Sequence, residues 1–204
     1  MTNRTGFAGL SNALDDFSRL QFVVQQMLNG LATATPVQVK AVSGDTVDVQ
    51  PMVHQVDGKD TGTPHSTIHG LPFFALQAGA SIVRLTPRVG DIGIAVFCHN
   101  DISSVKANKA PALPASRRRY SWSDGIYLGG LPALNGVATQ SIILDDDEGI
   151  SITAAPGKKV KITGDVELTG KLTASDDVIA NGISLHDHKH DGVQTGSGQT
   201  GTPV

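Results

Sequence analysis

The spacing of apolar residues changes twice along the chain. Leu10, Ala13, Phe17, Leu20, Val24, Met27 and Leu31 recur at alternating steps of three and four, which predicts a helix over residues 10–31. Ser11 or Asn12 can cap it, and Asp15 and Asp16 sit in the first turn, where the helix dipole favours anions. Gly30 and then Pro36 end it. The seam lasts about three heptads. It reads either as a coiled-coil seam or as the buried stripe of a helix lying on its own domain.

From Pro36 the period becomes two. Val37, Val39 and Val42 alternate, Ser43-Gly44-Asp45 turns, and Val47 and Val49 alternate back: a β-hairpin. Further strand candidates lie at 71–76, 81–85 and 92–97, the last after the turn signal Pro87-Arg88-Val89-Gly90-Asp91. Short strands at this spacing fit a small barrel, and the OB-fold is the five-stranded candidate. Phe73, Phe74 and Phe97 sit within apolar strand patterns and read as core rather than as a stacking platform for bases. Cys98 and His99 are adjacent in a strand and face opposite ways. They read as a half-buried thiol beside a surface imidazole, not as a catalytic dyad.

Residues 101–135 form a long connection rich in Pro, Ala and Ser, holding Arg117-Arg118-Arg119-Tyr120-Ser121-Trp122-Ser123-Asp124-Gly125. The arginines could hold a phosphate or pair with carboxylates of a neighbouring copy; the second is the reading preferred here.

From residue 138 the pattern changes again. Ile142 and Leu144 precede Asp145-Asp146-Asp147-Glu148-Gly149, and Ile150 and Ile152 precede Ala154-Ala155-Pro156-Gly157-Lys158. Val160 and Ile162 precede Thr163-Gly164-Asp165, and Val166 and Leu168 precede Thr169-Gly170-Lys171. Leu172, Val178, Asn181-Gly182, Ile183 and Leu185 follow. These are short strands with one apolar face and tight turns, and nothing outside the repeat offers a surface to cover that face. Three identical chains wound about one axis would do so, with Ile142, Leu144, Ile150, Ile152, Val160, Ile162 and Leu168 inside. The carboxylates at 145–148 lack the spacing of an EF-hand and read as a solvated turn.

Composition agrees with a turn-rich, all-β chain that needs a partner. Among 204 residues, 39% are hydrophobic, 4% aromatic, and Gly numbers 23. Few large side chains make a sizeable core hard to build alone. A net charge of −3 argues against a general nucleic-acid binder. The single Cys98 permits no intrachain disulfide. Met1-Thr-Asn-Arg-Thr-Gly-Phe lacks the apolar region of a signal peptide, and no apolar run approaches the roughly 20 residues of a membrane span. The expectation is a protein made in the cytoplasm that does not leave it by a standard export signal.

The candidate chemistry lies in Leu185-His186-Asp187-His188-Lys189-His190-Asp191-Gly192. In an extended strand His186, His188 and His190 would line one face. Unprotonated imidazole is a good metal ligand near neutral pH. One strand cannot close a coordination shell, so other copies would have to complete it; the alternative is a solvated His-rich tail.

A short helix, an OB-like barrel, a repetitive β-stalk, and this terminus running on through Gly192-Val193-Gln194-Thr195-Gly196-Ser197-Gly198-Gln199-Thr200-Gly201-Thr202-Pro203 resemble the central spikes of contractile phage tails. These are the baseplate assembly protein V and membrane-puncturing spike proteins of myophages and related tailocins. The layout covers most of the chain, and the specific part is residues 183–203. There the family ends in a His-x-His pair, then Gly-Val and a Gly/Thr-rich tail. Aligning on Gly192-Val193-Gln194 puts the pair at His188 and His190, with His186 an extra. Arg119-Tyr120-Ser121-Trp122-Ser123-Asp124-Gly125 resembles the family's collar segment more weakly.

The resemblance implies a homotrimer with an N-terminal helical segment at 1–34, an OB-fold domain at 35–115 and a linker or collar at 116–137. A triple-stranded, intertwined β-helix at 138–185 and a His-x-His tip at 186–204 would follow. His188 and His190 of each copy would hold one iron ion per trimer; six nitrogens suit an octahedral ion rather than tetrahedral zinc. Baseplate hub and tail tube proteins, and the host outer membrane during piercing, are the implied partners, with no nucleic acid and no enzymatic domain. The implied location is the virion, at the tip of the tail baseplate. Two other classes stay in view. A binding module for glycan or single-stranded nucleic acid, carried on the stalk, would need a groove with exposed aromatic and basic residues. An enzyme using His188 and His190 in a catalytic metal centre would need an open position and a carboxylate base, and is the weakest of the three.

Overall fold

The computed structural model describes residues 16–56, 61–190, 192, 196 and 197. The chain divides into two compact units, one ending at Thr139 and the other beginning at Gln140.

In the first unit the predicted helix is α1 (Asp16–Asn29), and the part of the prediction before Asp16 lies outside the described residues. None of its residues is buried, and Phe17, Leu20, Val24 and Met27 are all exposed. The stripe therefore does not lie on its own domain.

After α1 come β1 (Ala34–Ser43), β2 (Thr46–Pro51), the small pair β3 (Gln55–Val56) and β4 (Gly62–Thr63), and β5 (Ile68–Pro72). A short hairpin, β6 (Leu76–Ala78) with β7 (Ser81–Val83), precedes β8 (Ile92–Phe97). A long excursion carrying α2 (Ser103–Asn108) leads to β9 (Gly125–Gly130). The main sheet has the order β5-β2-β1-β8-β9, with every adjacent pair antiparallel. It curls into a half-barrel whose edges meet: Phe73 bridges Tyr127 in parallel, and Phe74 N–H donates to the Tyr127 carbonyl at 2.8 Å.

Period-two alternation puts the valines on the concave face. Val37 and Val39 of β1 and Val47 and Val49 of β2 are buried, together with Leu71, Ala95, Phe97 and Tyr127. Phe73 and Trp122 pack against this core, and the Phe97 and Trp122 rings meet edge to face at 4.8 Å. Phe97 is core as expected, but Phe74 is exposed, where the chain runs on from the sheet edge at Phe73 toward β6. The two-residue loop Gly44-Asp45 closes β1 onto β2, with Gly44 at φ 56°.

Segment 116–137, expected as a linker or collar, supplies β9, the fifth strand of this sheet. Close packing around β8 and β9 explains one glycine in each, Gly93 and Gly125. A Cβ at Gly93 would run into the Tyr127 ring and the Gly129 carbonyl, and one at Gly125 into Phe97 and Leu71.

The same segment corrects the reading of the arginine run. Arg118 pairs within its own chain. Its Nε donates to Asp124 Oδ2 at 2.7 Å, and one terminal nitrogen reaches Asp124 Oδ1 at 2.9 Å and Asp101 Oδ1 at 2.7 Å. Ser103 and Ser116 hydroxyls donate to the two oxygens of Asp101, and Ile102 N–H donates to Asp124 Oδ1. Both carboxylates are buried, so a flexible surface pairing with another copy is not their role. The network ties the start of the 101–124 excursion to its end, which places β9 against β8. Hydrogen bonds from Ser103 above all hold the Asp101 carboxyl well below the usual carboxylate range, and the Arg118 hydrogen bonds do the same for Asp124.

The second unit holds two hairpins. In β10 (Ser141–Asp145) and β11 (Gly149–Thr153), Ile142 faces Ile152 and Leu144 faces Ile150. All four are exposed, at 67%, 59%, 75% and 71%. The acidic loop is a turn: Asp145 Oδ1 accepts the N–H groups of Asp147 and Glu148 at 2.9 and 3.0 Å, and these lower its pKa. Gly149 follows at φ 81°. The second hairpin pairs β12 (Ile179–Ala180) with β13 (Ile183–Ser184) through Asn181-Gly182, both at positive φ, as the Asn-Gly signal predicts. Between them, residues 154–178 form no strand, although Val160, Ile162, Val166, Leu168 and Leu172 keep their spacing and are all exposed.

Candidate functional site

The candidate site begins where β13 ends at Ser184. Residues 185–187 turn rather than extend, so the expected row of three histidines is broken after His186. The His186 ring lies toward the Asp187 carboxylate, at 3.8 Å. His188 and His190 stay together, with ring centroids 5.1 Å apart and ring planes at 77°. Lys189 is exposed beside them, and Asp191 lies outside the described residues.

The turn is fastened at several points. Ser184 Oγ accepts the Asp187 N–H at 2.8 Å, and Leu185 N–H donates to the Val178 carbonyl at 2.8 Å. Asp177 Oδ1 accepts the N–H groups of Val178 at 2.8 Å and of His186 at 3.1 Å. Hydrogen bonding from Ser184 and then from His186 holds the Asp177 carboxyl below its ordinary pKa.

His188 Nδ1 lies 3.1 Å from the Leu185 carbonyl. A carbonyl only accepts, so Nδ1 carries the proton in that contact. In the neutral ring the Nε2 lone pair is then free, which is the arrangement found in most metal-bound histidines. The donor set therefore fits a transition metal as far as one chain goes: two neighbouring, exposed imidazoles, one with its tautomer fixed. Among the described residues no group of three or more His, Cys, Asp or Glu could hold a metal within the chain.

In the first unit, a cleft of about 620 Å³ is lined by Gln55, His65, His69, Trp122 and Ser123 among others, with no Lys or Arg among the described residues that line it. Trp122 forms its wall but also packs on Phe97 and on His65, at 4.9 Å, so it belongs to the core as much as to the surface. Cys98 is half-buried, its thiol pushed up chiefly by burial, and His99 is exposed, both just past the end of β8. No helix among the described residues is long and apolar enough to cross a membrane.

Residues 182–204 match the family model of the GpV Apex motif, a motif of the phage baseplate central spike (gpV) family. The matched stretch contains both His188 and His190. The match supports a phage baseplate spike protein, in a structural family that is not normally enzymatic. No curated protein sequence matches the chain.

Proposed function

We propose that the chain is the central spike of a contractile phage tail or tailocin baseplate and pierces the host outer membrane mechanically, as a homotrimer. The observation that carries this is the Apex match over the segment holding the His188–His190 pair. The exposed apolar ladder from Ile142 to Leu185 supports it. Each of those side chains would gain about 1.5–3 kcal/mol on full burial, and three copies around an axis provide that burial. The stretch at 154–178, which forms no strand, points the same way. Backbone N–H and C=O groups outside regular structure need partners, and neighbouring chains in an intertwined β-helix would supply them. The exposed seam of α1 is the matching feature before the barrel.

In this reading the half-barrel is an OB-fold, supported by its five-strand order and the Phe73–Tyr127 edge contact. It joins the spike to the baseplate hub and tail tube and binds no nucleic acid. His188 and His190 of three copies hold one octahedral metal ion, iron, on the axis. Such an ion supplies a rigid cross-link among the three chain ends. The protein's own residues do the rest: the stalk carries axial load through hydrogen bonds and buried side chains, and no catalytic step is involved.

Native mass measurement and elemental analysis test this together. The expected result is a trimer carrying about one iron per three chains. Replacing both His188→Ala and His190→Ala should remove the metal and leave the trimer. A folded monomer at micromolar concentration overturns the assembly, and metal-free wild-type protein overturns the tip.

A further inference from the structure

We propose that Asp177 is a positioning residue for the tip: its carboxylate fixes the peptide plane that orients the His188 ring. The proposal rests on the reading of His188 and His190 as metal ligands. The Asp177 carboxylate receives the His186 N–H, at 3.1 Å. That N–H belongs to the Leu185–His186 peptide, and the carbonyl of the same peptide receives His188 Nδ1, at 3.1 Å. A trans peptide is rigid, with its N–H and C=O pointing opposite ways. Holding one end of it therefore aims the other, and the imidazole follows.

The hairpin beneath needs this help. Strands β12 and β13 have two residues each, and a lone hairpin is marginal in water. Asp177 joins its two open ends, accepting from Val178 before β12 and from His186 after β13. Leu185 N–H to the Val178 carbonyl adds a parallel tie. Among the described residues from Gln140 onward, Asp177 is the one charged residue that is not fully exposed. Asp145 also takes two backbone donors on one oxygen, but both lie within its own turn, whereas Asp177 takes one from a residue nine positions away across the hairpin.

The test separates position from charge, using the full-length chain. Asp177→Asn keeps an acceptor oxygen in place without the charge; Asp177→Glu keeps the charge and moves it by a methylene. Sedimentation reports assembly, and competition with a chelator reports affinity for Fe(II). Hydrogen exchange of the peptide containing the His186 amide, in chelator-treated protein, reports the clasp without metal. The expected result is that all variants remain trimers. Asp177→Asn should stay near wild type in both other readouts, whereas Asp177→Glu and Asp177→Ala should bind Fe(II) about tenfold more weakly or worse and exchange the His186 amide faster. If Asp177→Glu and Asp177→Ala bind Fe(II) as tightly as wild type, Asp177 does not position the site. If Asp177→Glu keeps affinity and Asp177→Asn loses it, the charge acts and the positioning role is wrong. Wild-type protein that takes up no Fe(II) defeats the tip reading itself, and the positioning role falls with it.

Discussion

In the barrel sheet Val39 faces Val49, and both are buried by their own chain; in the hairpin β10–β11 Ile142 faces Ile152, and both stay exposed. The local rule is the same in both places: alternating β-branched residues on antiparallel strands. The difference lies in what closes over the face. The first sheet curls until Phe73 meets Tyr127, so distant segments of one chain, Leu71, Phe97 and Trp122 among them, cover the valines. Among the described residues of the second unit, the ladder side chains all stay exposed. Alternation reports that a strand has an apolar face; it does not report whose side chains cover it.

The largest effect expected breaks one region and spares the other. Ile152→Asp would bring three carboxylates together on the proposed axis, where neither water nor a cation offsets them. Sedimentation should show loss of the trimer. Trp122, the only tryptophan, packs in the barrel and reports that unit alone. Its fluorescence should keep the native signal in Ile152→Asp. Leu71→Ala should behave in the opposite way, costing the barrel about 2–5 kcal/mol in urea unfolding followed by Trp122. Loss of the Trp122 signal in Ile152→Asp would mean that the two regions are not completed independently.

How much of this was readable in advance follows the same division. The hairpin at Val37–Val49, the strand at 92–97 and the Asn181-Gly182 turn were legible because each is written in neighbouring residues. Strand β9 was not. Its sequence, Gly125-Ile126-Tyr127-Leu128-Gly129-Gly130, has glycines at both ends that read as loop; Gly125 is there because Phe97 and Leu71 pack against it and Gly129 because its φ is positive, and neither shows in a local pattern. The Arg118 network was misjudged for the same cause. Asp101 lies 17 positions away and looks like one more polar loop residue until the excursion closes. At the tip, spacing put His186, His188 and His190 in one row, and the resemblance picked out His188 and His190 with His186 an extra; the bend that breaks the row after His186 was not legible. It depends on Asp177 and Ser184 bending residues 185–187 out of the strand.

A smaller effect sharpens the comparison inside the barrel. Arg118→Ala leaves Asp101 and Asp124 buried without their cation, while Arg117→Ala removes a neighbouring exposed arginine. The first should lower the urea midpoint clearly and the second should not, with the Arg118 guanidinium's 39% exposure keeping the loss below that of a fully buried pair. Both carboxylates have pKa values lowered in the folded state. Their contribution is therefore complete above the ordinary carboxylate range and is lost as pH falls through their folded values. Wild type should lose stability below about pH 4, and Arg118→Ala should show a weaker dependence there. Equal pH dependence in the two would mean that Arg118 does not set these ionisations.

The smallest expected effect concerns a carboxylate that the barrel could spare. The β2–β5 register slips between Val47 and Val49, and Asp48 sits at the slip. Its oxygens bridge the gap, one 2.7 Å from His69 Nδ1 and the other accepting Gly70 N–H at 2.9 Å. The His69 hydrogen bond first, and Gly70 second, lower the Asp48 pKa. A lowered carboxyl pKa stabilises the fold above the unfolded value and ceases to do so as pH falls through the folded one. Yet the His69 side chain is 73% exposed, so water competes for the pair and screens it. Asp48→Asn keeps the shape and one acceptor, and should cost less than about 1 kcal/mol at pH 7. The difference from wild type should shrink from pH 7 toward about pH 3, as the carboxyl begins to lose its charge. Urea midpoints at the two pH values check this through Trp122. A loss as large as that of Leu71→Ala would mean that the slipped register, rather than the valine face, holds the half-barrel closed.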